Sequence, residues 1–268
     1  MKKIKCGICG TGMVGGAMKR YFEKKDSVEL FTYDKGKQEG SLEEVSKASV
    51  IFICVPTPWD EQTKHFDTGI VEEVISSLPA GKVIVIKSTI SIGTTDRLQK
   101  LFPSQRILFN PEFLTEETTD QDMNYPDRQI IGFASVDGYR TSGELMHLLP
   151  LAPYEAIVPA SQAEAVKLFG NSWLATKVAL MNQFFDIYNK LADKDDFQDV
   201  ADMMAHDKRI GRTHLRIMHN GFRGYGGKCL PKDARCLIEQ AEGLASILEE
   251  VEEYNNALIK MQEDEKDI

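Results

Sequence analysis

Short apolar runs punctuate the first half of the chain: Ile4 to Ile8, Val28 to Tyr33, Val50 to Val55, Lys82 to Ile86, Arg106 to Phe109 and Gln129 to Phe133. Between them lie segments with helical periodicity, Gly16 to Lys24, Ser41 to Lys47, Ile70 to Ser77, Thr94 to Leu101 and a stretch that includes Gly138. Runs that are apolar at almost every position suit strands covered on both faces. Pro56 and Pro58 close the third run by forbidding helix there. Regular strand–helix alternation predicts an α/β fold with a mostly parallel, doubly wound sheet.

Around Pro159 the pattern changes. Gln162 to Leu191 carries Val166, Phe169, Trp173, Leu180, Phe184 and Tyr188 at helical spacing. A second helix is expected over Phe197 to Ala205, with a turn at Lys208 to Gly211. A last, long helix is expected from Pro231 to about Gln262, with Leu237, Ala241, Leu244, Leu248, Val251 and Leu258 near a heptad seam. The seam predicts packing on another copy, a homodimer through these helices. The division is therefore residues 1–158, a sheet domain, and residues 159–268, an all-helical domain for dimerisation.

The first strand leads at once into Gly10-Thr-Gly12-Met13-Val14-Gly15. Three glycines at this spacing, between a strand and a helix, bring a pyrophosphate onto backbone N–H groups at a helix start. The second strand ends at Asp34, near the spacing expected for a carboxylate on an adenosine ribose. The sheet domain is thus expected to be of Rossmann type and to bind a dinucleotide. No arginine follows Asp34, which favours NAD over NADP, although Lys35 and Lys37 stand close by. Ligands in such sheets lie at the carboxyl ends of the strands, which gathers Gly10, Thr57, Thr89 and Glu112 at one rim.

The densest candidate chemistry runs from Asn220 to Asp233, N-G-F-R-G-Y-G-G-K-C-L-P-K-D. Gly221, Gly224, Gly226 and Gly227 allow positive φ and close approach of a ligand to the backbone. The loop delivers Cys229, and Pro231 suits the first turn of the helix that follows. A thiol at a positive helix end is placed to be a thiolate, and Asp233 lies one turn on, on the same side. This fits covalent catalysis on a carbonyl. It also fits a small buried cysteine behind a glycine turn. Lys167 and Asn171, four apart, share a helix face that could equally be a solvated edge.

Charge and cysteine usage narrow the field. The chain carries a formal charge of −9, and Glu239 to Ile268 holds ten acidic residues against Lys260 and Lys266, so the body is nearly neutral. No basic stripe speaks for nucleic acid. The acidic end reads as a solvated helix face. No apolar run approaches a membrane span, and Met1-Lys-Lys opens into a strand. The five cysteines lack zinc-site spacing, which predicts reduced thiols, no structural metal and a cytoplasmic location.

Taken in order, the motifs resemble the UDP-glucose/GDP-mannose dehydrogenase family. They are Gly10-Thr-Gly12-Met-Val-Gly15, Val55-Pro56-Thr57-Pro58, Lys87-Ser-Thr89 with Gly93-Thr-Thr95, Asn110-Pro-Glu112-Phe113-Leu114 with Glu116, and Pro126-Asp-Arg128. Then follow Glu164-Ala-Val-Lys167-Leu with Asn171, Arg209-Ile-Gly211, and Gly224-Tyr225-Gly226-Gly227-Lys-Cys229-Leu-Pro-Lys-Asp233. The resemblance implies oxidation of a sugar hydroxymethyl group of a nucleotide sugar to a carboxylate with two NAD+, UDP-glucose being the leading substrate. It implies that Cys229 is the nucleophile, that Lys167 and Asn171 stabilise the oxyanion, and that Asp233, Glu112 and Thr89 manage water and protons. It implies cofactor contacts at Gly10, Gly12, Met13, Val14, Gly15, Asp34, Val55, Pro56, Thr57, Thr89 and Glu116. Substrate contacts are implied at Glu112, Phe113, Leu114, Lys167, Asn171, Phe222, Tyr225, Gly226 and Gly227, with Arg209 reaching a sugar in a neighbouring subunit.

Thr115, Gln183 and the longer Phe222-Arg223 loop depart from the family pattern. Family members usually continue past the long helix into a third domain that clamps the nucleotide, and this sequence stops after that helix. Two other readings follow from these facts: an NAD-binding accessory subunit of low activity, or a two-electron hydroxyacid dehydrogenase. The second needs no thiol, which the Cys229 loop disfavours.

Overall fold

The computed structural model describes residues 3–192, 196–219 and 221–266; Asn220, at the head of the glycine loop, lies outside them. The chain forms two compact units, Met1–Lys167 and Leu168–Ile268.

The first unit is built on one eight-stranded sheet. Its elements in order are β1 (Ile4–Cys9), α1 (Met13–Glu23), β2 (Val28–Asp34), β3 (Glu39–Gly40), α2 (Leu42–Val45) and β4 (Val50–Ile53). A small hairpin, β5 (Trp59–Asp60) and β6 (His65–Phe66), stands apart from the sheet. Then come α3 (Gly69–Ser76), β7 (Val83–Ile86), α4 (Thr94–Leu101), β8 (Arg106–Phe109), α5 (Thr119–Asn124), β9 (Arg128–Phe133), α6 (Val136–Leu148), β10 (Tyr154–Pro159) and the first turns of α7 (Ala160–Leu191). Strand order is β10-β9-β8-β7-β4-β1-β2-β3. The strands β2, β1, β4, β7 and β8 are mutually parallel. The short β3 turns back antiparallel on β2, and β9 meets β8 antiparallel with β10 parallel beside it.

Alternation along the central strands explains why the sheet is covered twice. Ile51, Ile53, Ile84, Ile86, Ile107 and Phe109 pack on one face with Val71, Val74 and Ile75 of α3, Leu98 of α4 and Ala163 of α7. Phe52, Val83, Val85 and Leu108 point the other way, onto Met18 and Phe22 of α1 and Leu145 and Met146 of α6. With no solvated face the strands lose the apolar–polar alternation of a half-exposed sheet, as the sequence pattern implied. The doubly wound, largely parallel fold is confirmed. Strand order reverses on either side of β1, and that crevice is where such sheets take ligands. The strand β10 was not foreseen. It lies at the sheet edge, half-exposed and ending in Pro159, so neither an apolar run nor an uninterrupted N–H ladder marks it.

The second unit contains the rest of α7, α8 (Phe197–Met204), a two-residue ribbon β11 (Met218–His219) and β12 (Phe222–Arg223), α9 (Leu230–Gln240) and α10 (Ser246–Lys266). A cluster of Met181, Phe197, Ala201, Leu215 and Ile217 holds α7, α8 and the following loop together. The single long final helix expected from the sequence is two helices. Glu242 and Gly243 take left-handed φ of 48° and 88°, which ends α9 before α10 begins. Leu244 falls in this break and is 91% exposed, so the expected seam is not continuous.

Candidate active site

In the first unit, Gly10 follows β1, Thr57 follows β4, Thr89 follows β7 and Glu112 follows β8, all at the same edge of parallel strands. The ladder continues past the strand ends through Cys54 N–H to the Cys9 carbonyl, Lys87 N–H to Ile53 and Asn110 N–H to Ile86. The Thr57 hydroxyl donates to the Thr89 carbonyl at 2.6 Å, and Ser88 donates to the Val55 carbonyl at 2.6 Å. Val55 is half-buried and Pro56 exposed beside them.

The three glycines of the first loop have separable duties. Gly10 has φ of +87°, and a Cβ there would meet the Cys54 carbonyl oxygen at 2.6 Å. A Cβ on Gly15 would lie 1.9 Å from the Gly10 carbonyl oxygen, so α1 sits this close to β1 only with glycine. Around Gly12 nothing lies within 4 Å of such a carbon. Gly12 caps α1 without a side-chain hydrogen bond, and the first turn, which begins with Met13 and Val14, holds no acid. The open approach to bare N–H groups fits a dinucleotide pyrophosphate. A surface depression lined by Gly12, Met13, Arg20, Glu116 and Asp120 joins the glycine loop to the exposed Glu116. Arg20 of α1 pairs with Asp120 of α5 across it.

Asp34 closes the far side. One carboxylate oxygen accepts from the Thr11 amide at 2.8 Å and the other from the Lys37 amide at 3.0 Å. Burial alone would raise its pKa, but these amide donors outweigh it and hold the carboxyl below its ordinary range.

Lys167 and Glu112 form a buried ion pair. Both side chains are more than nine-tenths buried, and Nζ donates to Glu112 Oε1 at 2.6 Å and to its carbonyl at 2.9 Å. The second carboxylate oxygen accepts from the Leu114 amide at 2.9 Å. Burial pushes Glu112 up, and the Lys167 charge and hydrogen bonds pull it below the ordinary value. Nearby, burial pushes Lys87 down to about 8. Its Nζ donates to Asn110 Oδ1 at 2.7 Å and so pins the turn that presents Glu112. Phe113 stacks under the Arg128 guanidinium at 3.8 Å. Glu164, on the same helix as Lys167, is fully buried and caps α4 by accepting from Gly93 N–H, Thr95 N–H and the Thr95 hydroxyl.

In the second unit, Cys229 caps α9 and is exposed, and Pro231 stands in the first turn as the sequence indicated. Asp233 is fully buried. Its amide donates to the Cys229 carbonyl at 3.1 Å, and its carboxylate accepts from Asn171 Nδ2 at 2.6 Å and Lys232 Nζ at 2.5 Å. Arg209 is highly exposed and folds onto Asp207 at 2.6 Å.

The glycine loop has supports that motif reading missed. Asn255 of α10 accepts from the Tyr225 amide at 2.8 Å and donates to the Tyr225 carbonyl at 3.0 Å. Two turns along, Gln262 does the same for Arg223, at 2.7 and 3.1 Å. The Arg223 guanidinium binds Asn182 and Asp186 of α7. Phe222 packs against Gly226, whose Cβ would touch its ring at 3.1 Å, whereas Gly227 has open space around it. The available signal was Asn255 itself, a polar residue between Val251 and Leu258 on an apolar stripe.

Two domain models of one family match this chain: the NAD binding domain of the UDP-glucose/GDP-mannose dehydrogenase family over residues 37–147, and its central domain over 161–257. The chain belongs to this family. A UDP-glucose 6-dehydrogenase of Campylobacter jejuni is 36% identical over 197 residues, covering 71% of this chain and 48% of the relative. One from Bacillus subtilis is 31% identical over 239 residues, covering 84% and 50%. This member of the family thus spans about half the length of the curated relatives it matches. Among solved structures, a UDP-glucose dehydrogenase of Pyrobaculum islandicum aligns over 95% of this chain and 68% of its own, with a TM-score of 0.77 at 23% identity. A UDP-D-ManNAc dehydrogenase of Pyrococcus horikoshii gives 0.81 at 19%, over 95% and 69%. At these identities the likeness bears on the fold. The dehydrogenase family's NAD-binding domain supplies the cofactor assignment, NAD. Its match starts at residue 37, so Gly10–Gly15 rests on the loop geometry above. Among the described residues no helix is long and apolar enough to cross a membrane.

Proposed function

We propose that the chain is an NAD-dependent nucleotide-sugar 6-dehydrogenase that converts UDP-glucose to UDP-glucuronate by two successive oxidations through Cys229. The observation that carries this reading is the second unit's arrangement of an exposed thiol at a helix start over a buried carboxylate, Asp233, held by Asn171 at 2.6 Å. A hydroxyacid dehydrogenase has no use for that thiol.

NAD+, when bound on the Gly10–Gly15 loop with Asp34 at its ribose, supplies the hydride acceptor for each oxidation. Val55, Pro56, Thr57, Thr89 and Glu116 would complete its contacts. In the first half the sugar C6 hydroxyl loses a proton and its carbon a hydride, leaving an aldehyde. The Cys229 thiolate then adds to the carbonyl carbon, and Lys167 and Asn171 stabilise the resulting oxyanion. Loss of the second hydride from that carbon leaves a thioester. Water, deprotonated with the help of Asp233, Glu112 and Thr89, attacks the carbonyl, and the C–S bond breaks to return the thiolate and release a carboxylate. Phe113, Leu114, Phe222, Tyr225, Gly226 and Gly227 would hold the sugar. The thiol chemistry suits a reducing, cytoplasmic setting.

The test is stoichiometry with UDP-glucose. Two NADH per sugar and a carboxylate product are expected, and Cys229→Ser should halt the reaction before acid is released. One NADH per sugar with a free aldehyde or ketone refutes the four-electron mechanism, and no turnover beside tight NAD+ binding favours an accessory role.

A homodimer through the central helices belongs to the same proposal. Phe169, Trp173, Leu180, Ile187 and Leu191 of α7 are exposed, an apolar stripe that a second copy would cover, with Arg209 reaching toward that copy's sugar. Sedimentation at micromolar concentration should report a dimer, and a monomer there rules the assembly out.

A further inference from the structure

We propose that Glu39, together with Lys19, sets the preference for NAD over NADP, because it places a second carboxylate beside Asp34 where a 2′-phosphate would have to sit. The inference rests on the assignment of the Gly10–Gly15 loop and Asp34 to the adenosine half of the cofactor.

The chain makes this arrangement with a turn. After β2 it reverses through Gln38, at φ of 54°, and β3 pairs antiparallel with the end of β2 so that Glu39 lies directly opposite Asp34. Opposed residues of an antiparallel pair project on the same face, with Cβ atoms about 5 Å apart. Both carboxylates reach the same hydroxyl: Thr11 Oγ1 lies 3.2 Å from Asp34 Oδ2 and 2.9 Å from Glu39 Oε2. That hydroxyl has one proton to give, so the two acids share a single donor inside the glycine loop itself.

Glu39 is built to stay charged. Its other oxygen accepts from Lys19 Nζ at 2.7 Å and Thr32 Oγ1 at 2.7 Å. These donors hold its carboxyl down at about 2. Two of the three lysines near this turn are already engaged. Lys19 is engaged by Glu39, and the Lys37 ammonium donates to the Thr11 carbonyl. Lys35 is exposed on the turn. A ribose hydroxyl can donate to either carboxylate. A dianionic phosphate in its place meets two ionised acids and no unengaged partner for its charge among Lys19 and Lys37.

The experiment titrates the full chain with NAD+ and NADP+ by calorimetry, which reads binding and needs no turnover. The wild-type protein should bind NAD+ more tightly. Glu39→Gln removes one acid and releases Lys19, so the ratio of the two dissociation constants should move toward NADP+ by about tenfold, the scale of one charge pair several ångströms apart near a surface. Lys19→Met leaves the Glu39 charge unopposed and should move the ratio the other way. This second variant decides the question if Glu39→Gln fails to fold, since Glu39 also ties β3 to α1. Ratios unchanged within twofold in both variants, with NAD+ still bound, overturn the role of Glu39. Failure of the wild-type chain to bind either dinucleotide overturns the cofactor assignment and this inference with it.

Discussion

Removing the Lys167 ammonium should reverse the sign of Glu112's contribution to the pH dependence of the first unit's stability. Glu112 is buried, and its carboxyl lies below its unfolded value because Lys167 donates to it at 2.6 Å. A carboxylate of this kind contributes stability above its unfolded pKa, about 4.3, and that contribution is lost as pH falls through the lower folded value. In Lys167→Met, burial of Glu112 continues without its main counter-charge, so the folded pKa rises above the unfolded one. The acid then costs stability at neutral pH, and stability is regained as pH falls and the carboxyl is protonated. Breaking one partner of a buried pair costs about 3–5 kcal/mol. The positive charge of Lys87 also acts on Glu112, so the low end, about 3 kcal/mol at pH 7, is expected. Urea unfolding should be followed by Trp59 in a Trp173→Phe background, because Trp59 lies in the first unit and the exposed Trp173 in the second. Adding Glu112→Gln to Lys167→Met should recover part of the loss, since the buried carboxylate is then gone, while Lys87 gives up its nearby counter-charge and keeps its bond to Asn110. A loss below about 1 kcal/mol, or a variant whose deficit does not shrink between pH 7 and pH 5, would show that the pair is not buried as described.

Two further substitutions separate the glycines of the first loop. Gly12→Ala should lower the melting temperature by only a few degrees, the cost of alanine at a helix cap, because its Cβ meets nothing, yet weaken NAD+ at least tenfold by occupying the pyrophosphate's approach. Gly15→Ala should lower both stability and NAD+ binding, since its Cβ lands 1.9 Å from a carbonyl oxygen; equal melting curves for the two variants would contradict this division. Asn255→Ala should cost about 2 kcal/mol by leaving the Tyr225 amide and carbonyl unpartnered, and should speed both hydrogen exchange across Phe222–Lys228 and alkylation of Cys229. An unchanged alkylation rate would mean that α10 does not hold the loop.

Much of the first unit was legible because its strands are covered on both faces and therefore read as unbroken apolar runs. Ile51, Phe52 and Ile53 announce β4 without help from any other element. The edge strands β3 and β10 gave no such signal, being two residues long in one case and half-exposed in the other. The final helix was misread for a different reason. Leucine spacing carries straight across Ala241–Ala245, and the pair that breaks it, Glu242 and Gly243, is not distinctive beside one turn of acidic helix. Of the candidate site, Lys167 and Asn171 could be paired from their spacing, but their partners could not. Glu112 lies 55 residues from Lys167 and Asp233 lies 62 from Asn171. Such contacts belong to the fold and to no local pattern. Asn255 and Gln262 were hidden in the same way, as two amides in a segment whose charge drew attention first.

The two ways in which this chain fixes its candidate site residues respond differently to their surroundings. Lys167 and Glu112 are ions, and a change of protonation on either would alter what each does to the other. The loop that carries Cys229 is instead gripped by the side-chain amides of Asn255 and Gln262, each giving and taking one hydrogen bond with a single residue's backbone. Amides do not titrate, and their bonds are not screened by salt. That part of the thiol's mooring is indifferent to acidity and ionic strength, so a loosening of the loop with pH or salt would have to come from the ion pairs beside it, Arg223 with Asp186 and Lys232 with Asp233.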